Sequence, residues 1–203
     1  MTRADLMIPP TAPGLKIGLL GGSFNPPHLG HLHVARTALE RLDLDRLWVL
    51  VTPGNPLKST GDLASLGRRL AATRRLLDHP RIVVTALEAS FGSPYTWRTV
   101  ERLARTAPSV RFVWVMGADN LAGFHRWQHW RRIAKTVPIA VVDRPEASLA
   151  ALHAPAAQAF ADFRLAEIDA PSLAGRRPPA WVFLHGPRVA LSSTELRRRG
   201  LTA

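Results

Sequence analysis

The chain of 203 residues has no cysteine, which excludes disulfides, thiolate metal sites and a cysteine nucleophile. No apolar run approaches the roughly 20 residues that a membrane-spanning helix needs. Lysine is scarce, occurring only at Lys16, Lys58 and Lys135, so the formal net charge of +12 is carried almost wholly by arginine. Such an excess favours polyanions or phosphate-bearing ligands. An Arg- and Ala-rich composition also follows from a GC-rich genome, so charge alone does not separate a nucleic-acid binder from an enzyme acting on nucleotides. The first residues, Met1 to Gly14, lack the apolar core of a signal peptide and read as a short flexible lead-in. The remainder, 15–203, reads as a single domain, and 46% hydrophobic residues suffice for one core. The expected location is cytoplasmic.

The spacing of apolar residues switches repeatedly between strand and helix periods. Strands are expected at Lys16–Leu20, Leu47–Thr52, Arg81–Leu87, Val110–Met116, Pro138–Val142 and Trp181–His185. Between them, Leu32, Ala35, Leu39 and Leu42 mark one helix face. Leu63, Leu66, Leu70 and Leu77 mark a second helix, with its arginines read as facing outward, and Thr96 to Arg105 a third. The alternation predicts an α/β protein: a Rossmann-like open parallel sheet with helices on both faces. In such sheets ligands lie beyond the carboxyl ends of the strands. Residues 146–180 are Ala- and Pro-rich and are expected to be irregular helix and loop.

Two segments at strand ends carry chemistry. After the first strand comes GGSFNPPHLGH, residues 21–31. The glycines permit a sharp turn and a close backbone approach to a ligand. A helix is expected to begin near Pro27 or His28, turning free N–H groups and its positive dipole end toward the strand ends. His28 and His31, three apart, are neighbours on that helix and can donate to phosphate oxygens. After the last strand comes LSSTELRRR, residues 191–199. There Ser192, Ser193 or Thr194 can cap a short helix whose early turns contain Arg197.

Together these segments resemble the two signatures of the bacterial nicotinate-nucleotide adenylyltransferases, within the nucleotidyltransferases that carry an H-x-G-H motif. The resemblance implies that His28, His31 and Arg197 act on the ATP phosphates in the transition state. It also implies that Gly22, Ser23 and Phe24 line the nucleotide site by their backbone, with Ser193 and Thr194 as further phosphate contacts. Asn25 departs from the aspartate of many members and is assigned no carboxylate role. For the mononucleotide the resemblance singles out Asn55 and Lys58 in PGNPLK, Thr96 after Tyr95, Asp119 in MGADN, Trp127 as a stacking partner for nicotinate, and Arg144 before Pro145. Trp130 is expected in the core.

The reaction so implied joins AMP from ATP to nicotinate mononucleotide, giving nicotinate adenine dinucleotide and pyrophosphate. Mg²⁺ is expected to arrive with ATP rather than on a protein site. Rival acceptors are nicotinamide mononucleotide and pantetheine phosphate. A basic nucleic-acid-binding module is disfavoured, since neither stacking aromatics interleaved with lysines nor a recognition-helix motif is present. The sequence leaves oligomeric state open, a homo-oligomer included.

Overall fold

Six short apolar runs, each ended by Gly, Pro or a polar residue, become the strands of one parallel sheet. A computed structural model of the chain describes residues 1–54, 63–144 and 148–186. The strands are β1 (Lys16–Gly22), β2 (Arg46–Val51), β3 (Ile82–Thr85), β4 (Arg111–Gly117), β5 (Ile139–Val142) and β6 (Trp181–Leu184), and they lie in the order β3-β2-β1-β4-β5-β6. All five pairings are parallel. The chain runs outward from β1 through β2 to β3, then returns to place β4 on the other side of β1. That reversal falls between β1 and β4, and in doubly wound sheets ligands bind beyond the carboxyl ends of the strands at such a point.

Helices cover both faces, as the alternation predicts. Leu20, Val49, Val113, Val115 and Val182 pack beneath α1 (Leu29–Arg41) and α2 (Leu66–Leu76). Leu19, Trp48, Trp114, Val141 and Phe183 pack beneath α3 (Thr96–Thr106), α4 (Ala118–Gly123), α5 (Trp130–Thr136), α6 (Ser148–Leu152) and α7 (Pro155–Ala159). With both faces covered, the strands have no polar side to show, which is why they read as continuous apolar runs. Each large apolar side chain so buried contributes about 1.5–3 kcal/mol. Trp130 belongs to this second core.

Several local details differ from the sequence reading. The helix α1 begins at Leu29, with His28 as its N-cap. The third strand stops at Thr85 because Leu87–Phe91 winds into a 3-10 turn. Arg69 on α2 does not face outward: it is 1% exposed. Residues 2–7, read from sequence as part of the flexible lead-in, make a 3-10 turn at Arg3–Leu6. Asp5 there pairs with Arg74 at 2.5 Å, and its carbonyl accepts from the Thr85 hydroxyl and the Ala86 N–H. Within 146–180, α6 and α7 are followed by 3-10 segments at Ala161–Phe163 and Glu167–Gly175, in line with irregular helix. Among the described residues no helix is long and apolar enough to cross a membrane.

Candidate active site

The first turn leaves β1 at Gly22 and places Phe24 in a left-handed conformation (φ 47°) with its ring buried. That ring leans on the His31 imidazole, centroids 4.7 Å apart, and His31 stacks obliquely on His28 at 3.9 Å. The two imidazoles are also locked to the backbone. His28 Nδ1 accepts from the Gly30 N–H at 3.1 Å, and His31 Nδ1 accepts from the His28 N–H at 3.1 Å. An acceptor nitrogen cannot carry the ring proton, so each neutral ring presents Nε2–H as its donor.

This arrangement modifies the expected anion site. Of the N–H groups in the first turn of α1, that of Gly30 is taken by His28 Nδ1. Those of His31 and Leu32 go to the His28 carbonyl. Nε2 is therefore the ring nitrogen that carries the N–H in each neutral imidazole, while the helix dipole still favours an anion there. His28 is 5% exposed. Burial, reinforced by the Arg144 guanidinium and opposed by Asp119, pulls its pKa down to about 4. Near neutral pH it is thus an uncharged hydrogen-bond donor rather than a cation.

Arg144 reaches this turn from the end of β5. Its backbone N–H is held by Asp143 Oδ1 at 2.8 Å, and its Nη1 lies 3.3 Å from Asp119 Oδ2, just beyond β4. Two glycines make room for it. A Cβ on Gly30 would lie 2.2 Å from Arg144 Nη2, and one on Gly117 would lie 2.6 Å from Arg144 Cδ and 2.4 Å from Asp119 Oδ1. The strand ends β1, β4 and β5 thereby converge, through His28, His31, Asp119 and Arg144, at the chain reversal.

Two of the mononucleotide candidates, Trp127 and Thr96, belong to segments on the face of the sheet covered by α3 to α7. Trp127 packs edge-on against Trp114 (6.2 Å) and Phe124 (5.3 Å), half-buried at the rim of the core. Trp114 in turn slides under the first turn: a Cβ on Gly21 would meet its ring at 2.6 Å. Thr96 opens α3 after Tyr95. Asn55, Lys58, Ser193, Thr194 and Arg197 lie outside the described residues. Among the described residues no group of three or more His, Asp or Glu is gathered that could hold a metal ion.

Two buried charged residues at this end of the sheet were missed by sequence reasoning. Arg69 donates to main-chain carbonyls of Ser23, Thr52, Pro53 and Ala64. Its signal was its place on the Leu66, Leu70, Thr73, Leu77 stripe, at helical spacing. Glu88 accepts from the Thr99 hydroxyl at 2.9 Å and also bonds Thr52. Burial outweighs these bonds and raises its pKa to about 7. Asn25 also acquires a role: its Oδ1 accepts from the Ala64 N–H at 3.2 Å, which needs an oxygen but no charge.

A six-stranded parallel sheet with imidazole and guanidinium donors converging at its reversal point defines an α/β nucleotidyltransferase. The Cytidylyltransferase-like family profile matches residues 19–199. A protein of Rhizobium meliloti is 59% identical over 183 residues, 90% of this chain and 97% of that one. One of Methylorubrum extorquens is 59% identical over 185 residues, 91% of this chain and all of the other. Both carry the name "Probable nicotinate-nucleotide adenylyltransferase". The chain belongs to the nicotinate-nucleotide adenylyltransferases, within the Cytidylyltransferase-like family. Its fold is shared with the Plasmodium falciparum nicotinic acid mononucleotide adenylyltransferase complexed with NaAD (TM-score 0.68, 16% identity, 91% of this chain and 83% of that one).

Proposed function

We propose that the chain transfers the adenylyl group of ATP to nicotinate mononucleotide, releasing pyrophosphate. An oxygen of the mononucleotide phosphate attacks the α-phosphorus of ATP in line. The new P–O bond forms as the bond to the β-phosphate bridging oxygen breaks, and pyrophosphate carries that electron pair away. The attacking phosphate is already ionised, so no side chain has to remove a proton. The protein's work is then positioning and electrostatics.

The observation that carries this reading is the joining of His28, His31 and Arg144 at neighbouring strand ends in a chain of this family. His28 and His31 donate through Nε2 to the triphosphate as charge builds on it. Arg144, held by Asp119 and Asp143, supplies a fixed positive charge beside them. Trp127 offers an indole face to the pyridinium ring, and Asp119, Arg144, Thr96, Asn55 and Lys58 are the remaining mononucleotide contacts. Ser193, Thr194 and Arg197 are the further triphosphate contacts that the family's second signature implies. A divalent ion such as Mg²⁺ would be held by the ATP phosphates rather than by a protein site, and would supply neutralisation of phosphate charge.

The test is pyrophosphate release from ATP with nicotinate mononucleotide, nicotinamide mononucleotide or pantetheine phosphate as acceptor. Nicotinate mononucleotide is expected to give the highest kcat/KM; a preference for another acceptor would redirect the reading. His31→Ala should lower kcat at least about 100-fold, roughly 3 kcal/mol of transition-state stabilisation. Near-normal turnover by a folded His31→Ala protein would remove His31 from the mechanism.

A further inference from the structure

Among the described residues, Arg69 is a buried guanidinium without an acidic partner. It projects from α2 into the interior and is 1% exposed. No described carboxylate forms an ion pair with it. Four of its five N–H groups go to main-chain carbonyls, in three segments of the chain. Nη1 donates to Ser23 O at 2.7 Å in the turn after β1, and to Thr52 O at 2.8 Å at the end of β2. Nη2 reaches Pro53 O at 3.4 Å, and Nε donates to Ala64 O at 2.8 Å, just before α2. A buried charge left without a counter-ion is costly. A planar fork serving several carbonyls is a task that arginine performs and lysine, a compact point donor, does not.

The segments it ties are those assigned above to the two substrates. Ser23 precedes Phe24, whose ring supports His31; Thr52 and Pro53 lead into the candidate mononucleotide segment. Asn25 adds a parallel tie by accepting from Ala64 N–H. A trans peptide holds its C=O and N–H in opposite directions. With the Ser23 and Pro53 carbonyls turned to Arg69, the N–H groups of Phe24 and Gly54 therefore point away from it. One side chain so sets the direction of a main-chain donor in each segment. The network continues from Thr52 through Glu88 to Thr99 in the first turns of α3.

We propose that Arg69 is a positioning residue that locks the strand ends after β1 and β2 to each other, so that filling one substrate site strengthens binding at the other. This rests on the substrate assignment made under the proposed function.

The test measures coupling by calorimetry. The affinity of an ATP analogue with a non-cleavable α,β bridge is determined with and without nicotinate mononucleotide, in wild type and in Arg69→Lys. Wild type is expected to show at least about fivefold mutual tightening, the low end of usual coupling. Arg69→Lys should reduce it below about twofold and raise KM for both substrates. A purely structural Arg69 would lower the melting temperature and leave coupling intact; wild-type coupling in folded Arg69→Lys therefore overturns the proposal. Absence of coupling in a wild-type enzyme that turns over both substrates overturns it too, while the substrate assignment stands. Absence of wild-type turnover defeats the assignment itself and this proposal with it. Should Arg69→Lys fail to fold, Arg69→Gln, which keeps a polar amide but loses the fork, is measured in its place, and unaltered coupling in that variant is the overturning result.

Discussion

Replacing Gly30 by alanine should leave the protein folded while removing most of its turnover. The glycine sits in the first turn of α1, between His28 and His31. A methyl group there would lie 2.2 Å from Arg144 Nη2, 2.9 Å from His28 Cε1 and 3.0 Å from His28 Nδ1, against an ordinary contact of 3.4 Å or more. The guanidinium must retreat by about 1 Å and the imidazole by roughly half that, since both now overlap the same methyl. The guanidinium ends a flexible side chain and moves at little cost. Helix propensity works the other way, favouring alanine over glycine by about 0.5–1 kcal/mol. The melting temperature should therefore change little. Catalysis is less forgiving: misplacement of about 1 Å costs on the order of 100-fold, or roughly 2.7 kcal/mol of barrier. Steady-state pyrophosphate release with both substrates saturating measures the loss, and a thermal melt confirms folding. A folded Gly30→Ala enzyme within about threefold of the wild-type kcat would refute the view that His28 and Arg144 must be held where they are.

The other expectations concern the ring stack and the buried carboxyl. Trp127→Ala should raise KM for the mononucleotide about tenfold, the worth of one indole–pyridinium contact at about 1–2 kcal/mol, with KM for ATP little changed; weakened ATP binding would instead place Trp127 elsewhere in the site. Glu88 gives a pH signature. Its folded pKa of about 7 lies above the ordinary 4.5, so its stabilisation is complete below pH 4.5 and is lost as pH rises to about 7, roughly 3 kcal/mol in all. Glu88→Gln removes that loss and should be more stable than wild type at about pH 8 in a denaturant titration; equal stability there would contradict the burial argument. His28 runs in the opposite sense. Its folded pKa of about 4 lies below the ordinary 6.5, so its share is present above pH 6.5 and lost as pH falls to about 4. The two nearly cancel between pH 4.5 and 6.5 in wild type, and Glu88→Gln should uncover a stability that rises with pH across that window.

What could be read before any coordinates was what is local along the chain. Strand-length apolar runs, helix-spaced leucines and the Gly-Gly to His-x-Gly-His turn all depend on near neighbours in sequence. The donor groups of that turn were not legible in detail, because His28 and His31 take up the turn's own N–H groups through Nδ1. The need for glycine at Gly30 was equally hidden, since the atom it makes room for belongs to Arg144, more than a hundred residues away. Arg69 was misread for a general reason: arginines on short helices usually face water, and its carbonyl partners come from segments that only the sheet brings together.

Sequence by itself determined the alternation of strand and helix and the two chemically distinctive strand ends, because periodicity and turn chemistry act over a few residues; the reaction class followed from the family that those two segments resemble. Tertiary structure alone decided that β4 returns beside β1, and that Arg144 meets Asp119 and Gly30. It alone decided that His28 is buried neutral and that Arg69 clasps two loops. Those outcomes depend on desolvation and on contacts between distant segments, which take definite values only when the chain has closed around its core.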